Sequence, residues 1–232
     1  MINGSNPQDT AANPLRKNET EQALARQVLV ADSLDIDWES IHQQLLVANG
    51  NVTKVRQLLE AGNVALIERF VGNHPVSQLV RERARLVDTV IADTWQRVGG
   101  NFADLFILAA VGGYGRNELH LYSDVDLLLL VPSERKARAA SDEIAAFLAF
   151  LWDVGMEVGH STRTVGECRS ESEHDISIAT TLMESRLIVG PEKLFENMQK
   201  AVAPPKVWNS RAFFAAKLKE QQARHHRYND TA

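Results

Sequence analysis

Cysteine is almost absent from this chain of 232 residues, since Cys168 is the only one. A single cysteine cannot form a disulfide within the chain, and it excludes metal sites built from several cysteines. We therefore expect Cys168 to be inert. With 44% hydrophobic and 24% charged residues, the composition is instead typical of a protein stabilised by a packed core.

The chain also lacks long apolar runs and an excess of basic residues. No stretch approaches the ~18 apolar residues that a membrane-spanning helix needs, and residues 1–22 lack the apolar centre of a secretory signal. The net charge of −5 argues against a general nucleic-acid coat, which requires a basic surface. We expect a cytoplasmic protein that binds neither membrane nor nucleic acid.

Four regions follow one another along the chain. Residues 1–18 are rich in Asn, Pro, Gly, Ser and Thr, show no period, and predict a disordered tail. Apolar residues at helical spacing predict a helical region over 19–100, whereas strands and helices alternate over 101–190. Residues 191–232 predict C-terminal helices. Because the chain stops inside a charged helix without a capping signal, we expect it to be truncated.

The predicted fold class is α+β with an α/β-type core. A small mixed β-sheet with helices is preceded by the helical region and followed by the C-terminal helices. Three short stretches predict the strands. Two are apolar runs, DLFILAAV (104–111) and SDVDLLLLVP (123–132). The third is MEVGHSTRTV (156–165), in which Thr162 and Thr164 add β preference. The stretch DISIATTLMESRLIVG (175–190) is predicted to be helical.

Two carboxylates stand at the start of the second predicted strand. Asp124 and Asp126 are two residues apart, so a strand directs both to the same face. Like charges at this spacing repel each other, and a cation between them removes the repulsion. Mg²⁺ fits best, because it prefers carboxylate oxygens together with substrate phosphates. An isolated pair of this kind is more often a solvated strand end.

A glycine pair, Gly112 and Gly113, follows the first predicted strand. Backbone N–H groups can converge there without an obstructing Cβ and hold phosphate oxygens. The alternative is an ordinary tight turn, and the surrounding residues match neither a Walker loop nor the G-x-G-x-x-G dinucleotide pattern. Together, a phosphate-binding turn and a metal-binding carboxylate pair indicate nucleotidyl transfer.

These motifs resemble a known family. The glycine pair, the D-x-D pair and the apolar strand resemble the nucleotidyltransferases of the DNA polymerase beta superfamily. The longer run VGGYGRNELHLYSDVDLLLL (111–130) is similar to the bacterial PII-protein uridylyltransferases, as are EVGHSTRT (157–164), residues 175–190 and KLKEQQARHHRYNDTA (217–232). The resemblance covers roughly residues 100–232, and the helical region more loosely. It implies a nucleotidyltransferase domain over 101–190.

The resemblance also implies the roles of individual residues. Gly112 and Gly113 would contact the nucleotide phosphates, and Asp124 and Asp126 would bind Mg²⁺ or Mn²⁺. The implied reaction transfers UMP from UTP to a tyrosine of the PII nitrogen-signalling protein and releases pyrophosphate. Family members are several times longer, with an HD-type hydrolase domain and glutamine-sensing ACT domains. We expect UMP removal and glutamine sensing to be absent from this chain.

Three further residues are weaker candidates. The superfamily often has a third carboxylate on a later strand, and Glu157 is the one available, as a metal ligand or a base for the attacking hydroxyl. Arg116 is a candidate to neutralise triphosphate charge, and Ser123 to cap the turn and aim Asp124. Each also has a purely structural interpretation.

Two other functions remain open at this stage. The glycine pair and the two aspartates do not distinguish uracil from adenine, so adenylyl transfer to another protein is one alternative. A catalytically inactive, nucleotide-binding regulatory module is the other. The retention of a repelling carboxylate pair weighs against inactivity.

Overall fold

The computed structural model describes residues 37–227, apart from the side chains of Pro205, Arg224 and Arg227. The predicted tail (1–18) and the first part of the predicted helical region lie outside the described residues. Within the described part, helices surround one four-stranded mixed sheet, which confirms the predicted α+β class. None of the described helices combines the length and the apolar character that a bilayer crossing requires.

The described part of the helical region contains α1 (Trp38–Ala48), α2 (Val52–Val71) and α3 (Val76–Val98). Side chains cap the first two helices at their N-termini. The Asp37 carboxylate accepts a hydrogen bond from the Ser40 N–H at 3.0 Å, and the Asn51 side chain accepts one from the Lys54 N–H at 3.0 Å. The predicted helical spacing is confirmed here.

The sheet consists of β1 (Ile107–Ala110), β2 (Val125–Leu130), β3 (Val158–Arg163) and β4 (Arg186–Val189). Its strand order is β3-β2-β1-β4. β1 is antiparallel to both of its neighbours, and β2 and β3 are parallel. The three strands predicted from apolar stretches are therefore confirmed, and the antiparallel pairs make the sheet mixed.

The fourth strand corrects the prediction of a continuous helix over 175–190. The helix ends at Met183, and the chain then forms β4 against β1. Four residues are too short a stretch for periodicity to separate a strand from a helical turn. β4 is only half-buried at the sheet edge, and Gly190 follows it with φ +115°, a left-handed conformation that favours glycine.

The other helices, outside the N-terminal region, are α4 (Gly112–Gly115), α5 (Glu134–Ala139), α6 (Ser141–Asp153), α7 (Val165–His174), α8 (Ile176–Met183), α9 (Glu192–Ala201), α10 (Pro204–Val207) and α11 (Ser210–Arg227). The helices α5 and α6 connect the parallel strands β2 and β3.

Cys168 in α7 is fully buried, and burial raises the pKa of its thiol to about 12, in agreement with an inert side chain.

Alternation along β2 divides the apolar side chains between two clusters. Val125, Leu127 and Leu129 face a large cluster formed with α1–α3 and α6. Leu128 and Leu130 face a smaller cluster formed with residues of α7, α8 and α9. Asp126 is on the same face of β2 as Leu128 and Leu130, but it lies nearer the start of the strand, outside the smaller cluster. Its carboxylate is therefore next to an apolar core without being buried in it.

Candidate active site

The glycine pair forms the turn that connects β1 to α4. Gly112 has φ +59°, a left-handed conformation that favours glycine. Gly115 is required for a different reason, because a Cβ there would lie 1.9 Å from the carbonyl oxygen of Glu184. The N–H groups of the first helical turn have no intrahelical acceptors, so they can bind an anion.

The two aspartates lie at the start of β2. Asp126 is in the strand, Asp124 immediately precedes it, and both are exposed. Partial removal from water raises the pKa of Asp126, and the negative charge of Asp124 raises it further. The two carboxylates are thus close enough to repel each other, as the sequence predicts, and a bound cation would relieve that repulsion.

Two glycines surround the carboxylate of Asp126. Asp126 Oδ2 lies 3.9 Å from the position that a Cβ on Gly112 would take, so the carboxylate adjoins the glycine turn. On the other side, a Cβ on Gly159 would lie only 2.7 Å from Asp126 Oδ1. Asp126 and Gly159 are paired residues of β2 and β3, so Gly159 provides the space that the carboxylate occupies. No motif marks Gly159 as a site residue, although an isolated glycine in a strand is a signal of close approach.

An open cavity of about 450 Å³, here called the aspartate cavity, contains most of the predicted site. Its wall includes Gly113, Arg116, Ser123, Asp124 and Asp126. Residues predicted from two separate motifs are therefore brought together in space. The antiparallel pairing of β1 with β2 causes this, because it places the end of β1 beside the beginning of β2.

Glu157 lies beside this group without lining the aspartate cavity. It immediately precedes β3, and its carbonyl oxygen accepts a hydrogen bond from the Val125 N–H at 2.8 Å. Its side chain is exposed and lines a neighbouring cavity that also contains Ser123. Within residues 37–227 no group of three or more His, Cys, Asp and Glu side chains is arranged to hold a metal ion. The role of Glu157 stays a prediction.

Arg116 is on the wall of the aspartate cavity but is already paired. Its guanidinium contacts Glu118 at 3.0 Å and Glu184 at 2.7 Å. The hydrogen bond to Glu118 is the main reason why the pKa of Arg116 is raised. To bind a triphosphate, Arg116 would have to exchange these glutamates for phosphate oxygens.

A polar network of one buried and two half-buried side chains anchors the glycine turn. The Tyr114 hydroxyl donates to Asp88 Oδ1 at 2.5 Å, and Arg186 donates to both Asp88 oxygens at 2.8 and 3.1 Å. Arg186 also lies over the Tyr114 ring, with its Cζ 5.4 Å from the ring centroid. α3, α4 and β4 each contribute one residue. Because these residues are far apart in sequence, no local pattern indicates their contact.

The donor set suits a hard divalent cation bound together with a phosphate chain. Mg²⁺ is commonly held by one or two protein carboxylates and completed by substrate phosphates and water, so a third protein ligand is unnecessary. Asp124 and Asp126 supply the carboxylates, and the Gly112–Gly113 turn supplies N–H groups beside them. The arrangement can hold a metal–nucleotide complex.

Several curated proteins similar to this chain carry the name bifunctional uridylyltransferase/uridylyl-removing enzyme. The protein of that name from Nitrosococcus oceani is 45% identical over 178 residues, which are 77% of this chain and 20% of the relative. That from Ectopseudomonas mendocina is 40% identical over 195 residues, or 84% of this chain and 22% of the relative. That from Azotobacter vinelandii is 41% identical over 188 residues, or 81% and 21%.

The chain thus spans about a fifth of the length of these relatives. No protein-family model matches it. The resemblance inferred from the motifs is confirmed by the relatives, because it names the same group of proteins.

Proposed function

Because the chain is homologous to a part of the bifunctional uridylyltransferase/uridylyl-removing enzymes, we propose that it is a metal-dependent nucleotidyltransferase domain. The reaction is the transfer of UMP from UTP to a tyrosine of the PII nitrogen-signalling protein, with release of pyrophosphate. The observation that carries the proposal is the position of Asp126, which adjoins both the glycine turn and Asp124.

Asp124 and Asp126 are the residues that would hold Mg²⁺ or Mn²⁺. When bound, the ion supplies positive charge to the oxygens of the triphosphate where negative charge develops during transfer. The N–H groups of Gly112 and Gly113 bind phosphate oxygens and orient the chain of phosphates. Gly159 supports this function indirectly, since it leaves room for Asp126 to point into the aspartate cavity.

Arg116, Ser123 and Glu157 complete the proposed site. Arg116 and Ser123 lie on the wall beside the aspartates and are available to the phosphates after local rearrangement. Glu157 is the candidate for the group that accepts the proton of the acceptor hydroxyl. The parallel register of β2 and β3 supports this role. Val125 pairs with Val158, so the residues just before them, Asp124 and Glu157, lie side by side.

The test is a transfer assay with labelled UTP or ATP, Mg²⁺ and purified PII protein. We expect labelled PII with UTP, and at least about a hundredfold slower labelling by Asp124→Asn and Asp126→Asn, because each loses a charged ligand of the ion. Asp142→Asn, an exposed carboxylate on α6, is the matched control and should retain full activity.

Three outcomes would contradict the proposal. Labelling that survives both aspartate substitutions would exclude the metal site. A preference for ATP would favour adenylyl transfer to another protein. Nucleotide binding without any transfer would favour an inactive regulatory module.

A further inference from the structure

A second cavity adjoins the aspartate cavity and lies between the helical region and the sheet. Its volume is about 290 Å³, near the lower end for ligand sites. Tyr122 and Ser123 line both cavities, so the segment just before Asp124 forms their common wall. The second cavity is therefore adjacent to the point at which a bound nucleotide would react.

The wall of this second cavity contains both apolar and charged residues. Its apolar residues include Leu59 of α2, Val87 of α3, Val125 of β2, and Leu121 and Met156. These residues suit a flat, largely apolar group, because burial of its carbon surface is favourable.

Two charged residues on the wall, Glu157 and Arg83, could act on a bound group. Glu157 lines it and is aligned with Asp124 by the strand register. Arg83 lines it from α3, and its Nη1 is buried without a hydrogen-bond partner among the described residues. The Arg83 Nε donates only to Asn63 Oδ1, at 3.3 Å. A buried N–H without an acceptor is costly, so a shift of the Arg83 side chain that brings Nη1 to an oxygen of a bound group would be favourable.

We propose that this cavity is the acceptor subsite, which receives the side chain of the tyrosine to be modified from the partner protein. The inference rests on the proposed function and assigns a place to its second substrate. The ring packs on Leu59, Val87 and Leu121, and the hydroxyl is directed toward Glu157 and the aspartate cavity. Arg83 supplies a positive N–H to an oxygen of the bound acceptor.

The bond changes in this arrangement balance without any further reactant. The tyrosine Oη forms a bond to the α-phosphorus of the nucleoside triphosphate, and the bond from that phosphorus to pyrophosphate breaks. The hydroxyl proton passes to the Glu157 carboxylate. A phenol has an ordinary pKa near 10. The positive charge of Arg83 favours loss of the proton, whereas the Glu157 carboxylate assists by accepting the proton as the new bond forms.

Charge gives the triphosphate no advantage in the second cavity. Glu60 and Glu157 line it together with Arg56 and Arg83, so its ionisable residues balance. Arg56 is also engaged within the chain, since its guanidinium donates to the carbonyl oxygen of Asp153. A neutral phenol is neither repelled nor required to exchange an ion pair, and the measurement of UTP affinity separates it from the equally neutral nucleoside.

The test compares two variants of the cavity with one control. Arg83→Met removes the unpartnered N–H groups, and Leu59→Phe fills the space meant for the ring. Arg81→Met changes an exposed arginine on the same helix and outside the cavity wall. Thermal unfolding checks that each variant folds. Labelling rates are measured at several PII concentrations with saturating UTP and Mg²⁺, and UTP affinity is measured separately by calorimetry without PII.

We expect kcat/KM for PII to fall about tenfold or more in each cavity variant, the scale of one lost hydrogen bond to a charged group. UTP affinity should stay within about twofold of the wild type, and Arg81→Met should change neither value.

Equal losses of UTP affinity would overturn the inference and assign the cavity to the nucleoside. Unchanged PII kinetics in both folded variants would also overturn it. Wild-type protein that labels no PII at all would overturn the proposed function itself, and this inference with it.

Discussion

At the scale of single residues, the site depends on which side chains are absent as much as on which are present. Asp126 occupies space that any residue larger than glycine at position 159 would take. The two aspartates were predictable, because charged residues at the start of an apolar strand contrast with their surroundings. The need for Gly159 was not, because it follows from the pairing of β2 with β3.

Gly159→Ala tests this dependence. The added methyl would lie 2.7 Å from Asp126 Oδ1, so we expect the carboxylate to be displaced and transfer to slow at least tenfold. Gly166→Ala on α7 is the control, since its Cβ would meet only Thr164 Oγ1 at 3.9 Å. That helical substitution should keep activity and raise the free energy of unfolding by about 0.5–1 kcal/mol. Equal activity in both variants would mean that Asp126 does not need its present position.

At the scale of elements, predictions succeeded where a stretch was long or fully buried. β1 is a continuous apolar run, β2 is apolar apart from Asp126, and the spacing in α1–α3 is regular. β4 was wrongly assigned to a helix because it has only four half-buried residues at an edge, and it becomes a strand by pairing with the side of β1 that β2 leaves free. Tertiary pairing, rather than local preference, determines such a strand.

The polar network of Asp88, Tyr114 and Arg186 connects α3, α4 and β4. Asp88→Asn should lower the free energy of unfolding by roughly 1–3 kcal/mol, because Arg186 and Tyr114 lose a charged acceptor at a half-buried position. Tyr114→Phe removes one hydrogen bond and should cost about 1 kcal/mol. Urea unfolding measures both values.

Glu134→Gln is the comparison for this network, since it breaks an exposed pair on α5. Its cost should not exceed about 0.5 kcal/mol. A cost for Asp88→Asn no larger than this control would show that the network does not stabilise the glycine turn.

At the scale of the whole molecule, one apolar cluster connects the helical region with the sheet. It extends from Ile41 in α1 to Met156 beside β3. Trp95 of α3 is fully buried within it, stacked on Phe106 and in edge contact with Phe147, at centroid distances of 6.2 and 5.2 Å. The sequence predicted two adjacent regions, but their shared core depends on contacts between distant residues and had no local signal.

A shared core implies that the helices and the sheet unfold together. We expect tryptophan fluorescence and far-ultraviolet circular dichroism to report one coincident transition in urea. Trp95→Ala should lower the free energy of unfolding by about 3–5 kcal/mol in that single transition. Two separate transitions, with only one of them shifted by the substitution, would show that the helical region is stable by itself.

The most direct test of the central claim is thermal unfolding with and without UTP and Mg²⁺. If Asp124 and Asp126 hold an ion that also binds the triphosphate, the ligands together should raise the melting temperature of the wild type, because they bind only the folded chain. Asp124→Asn and Asp126→Asn should each reduce that rise, and Asp142→Asn should not. An equal rise in all four proteins would contradict the metal–nucleotide site.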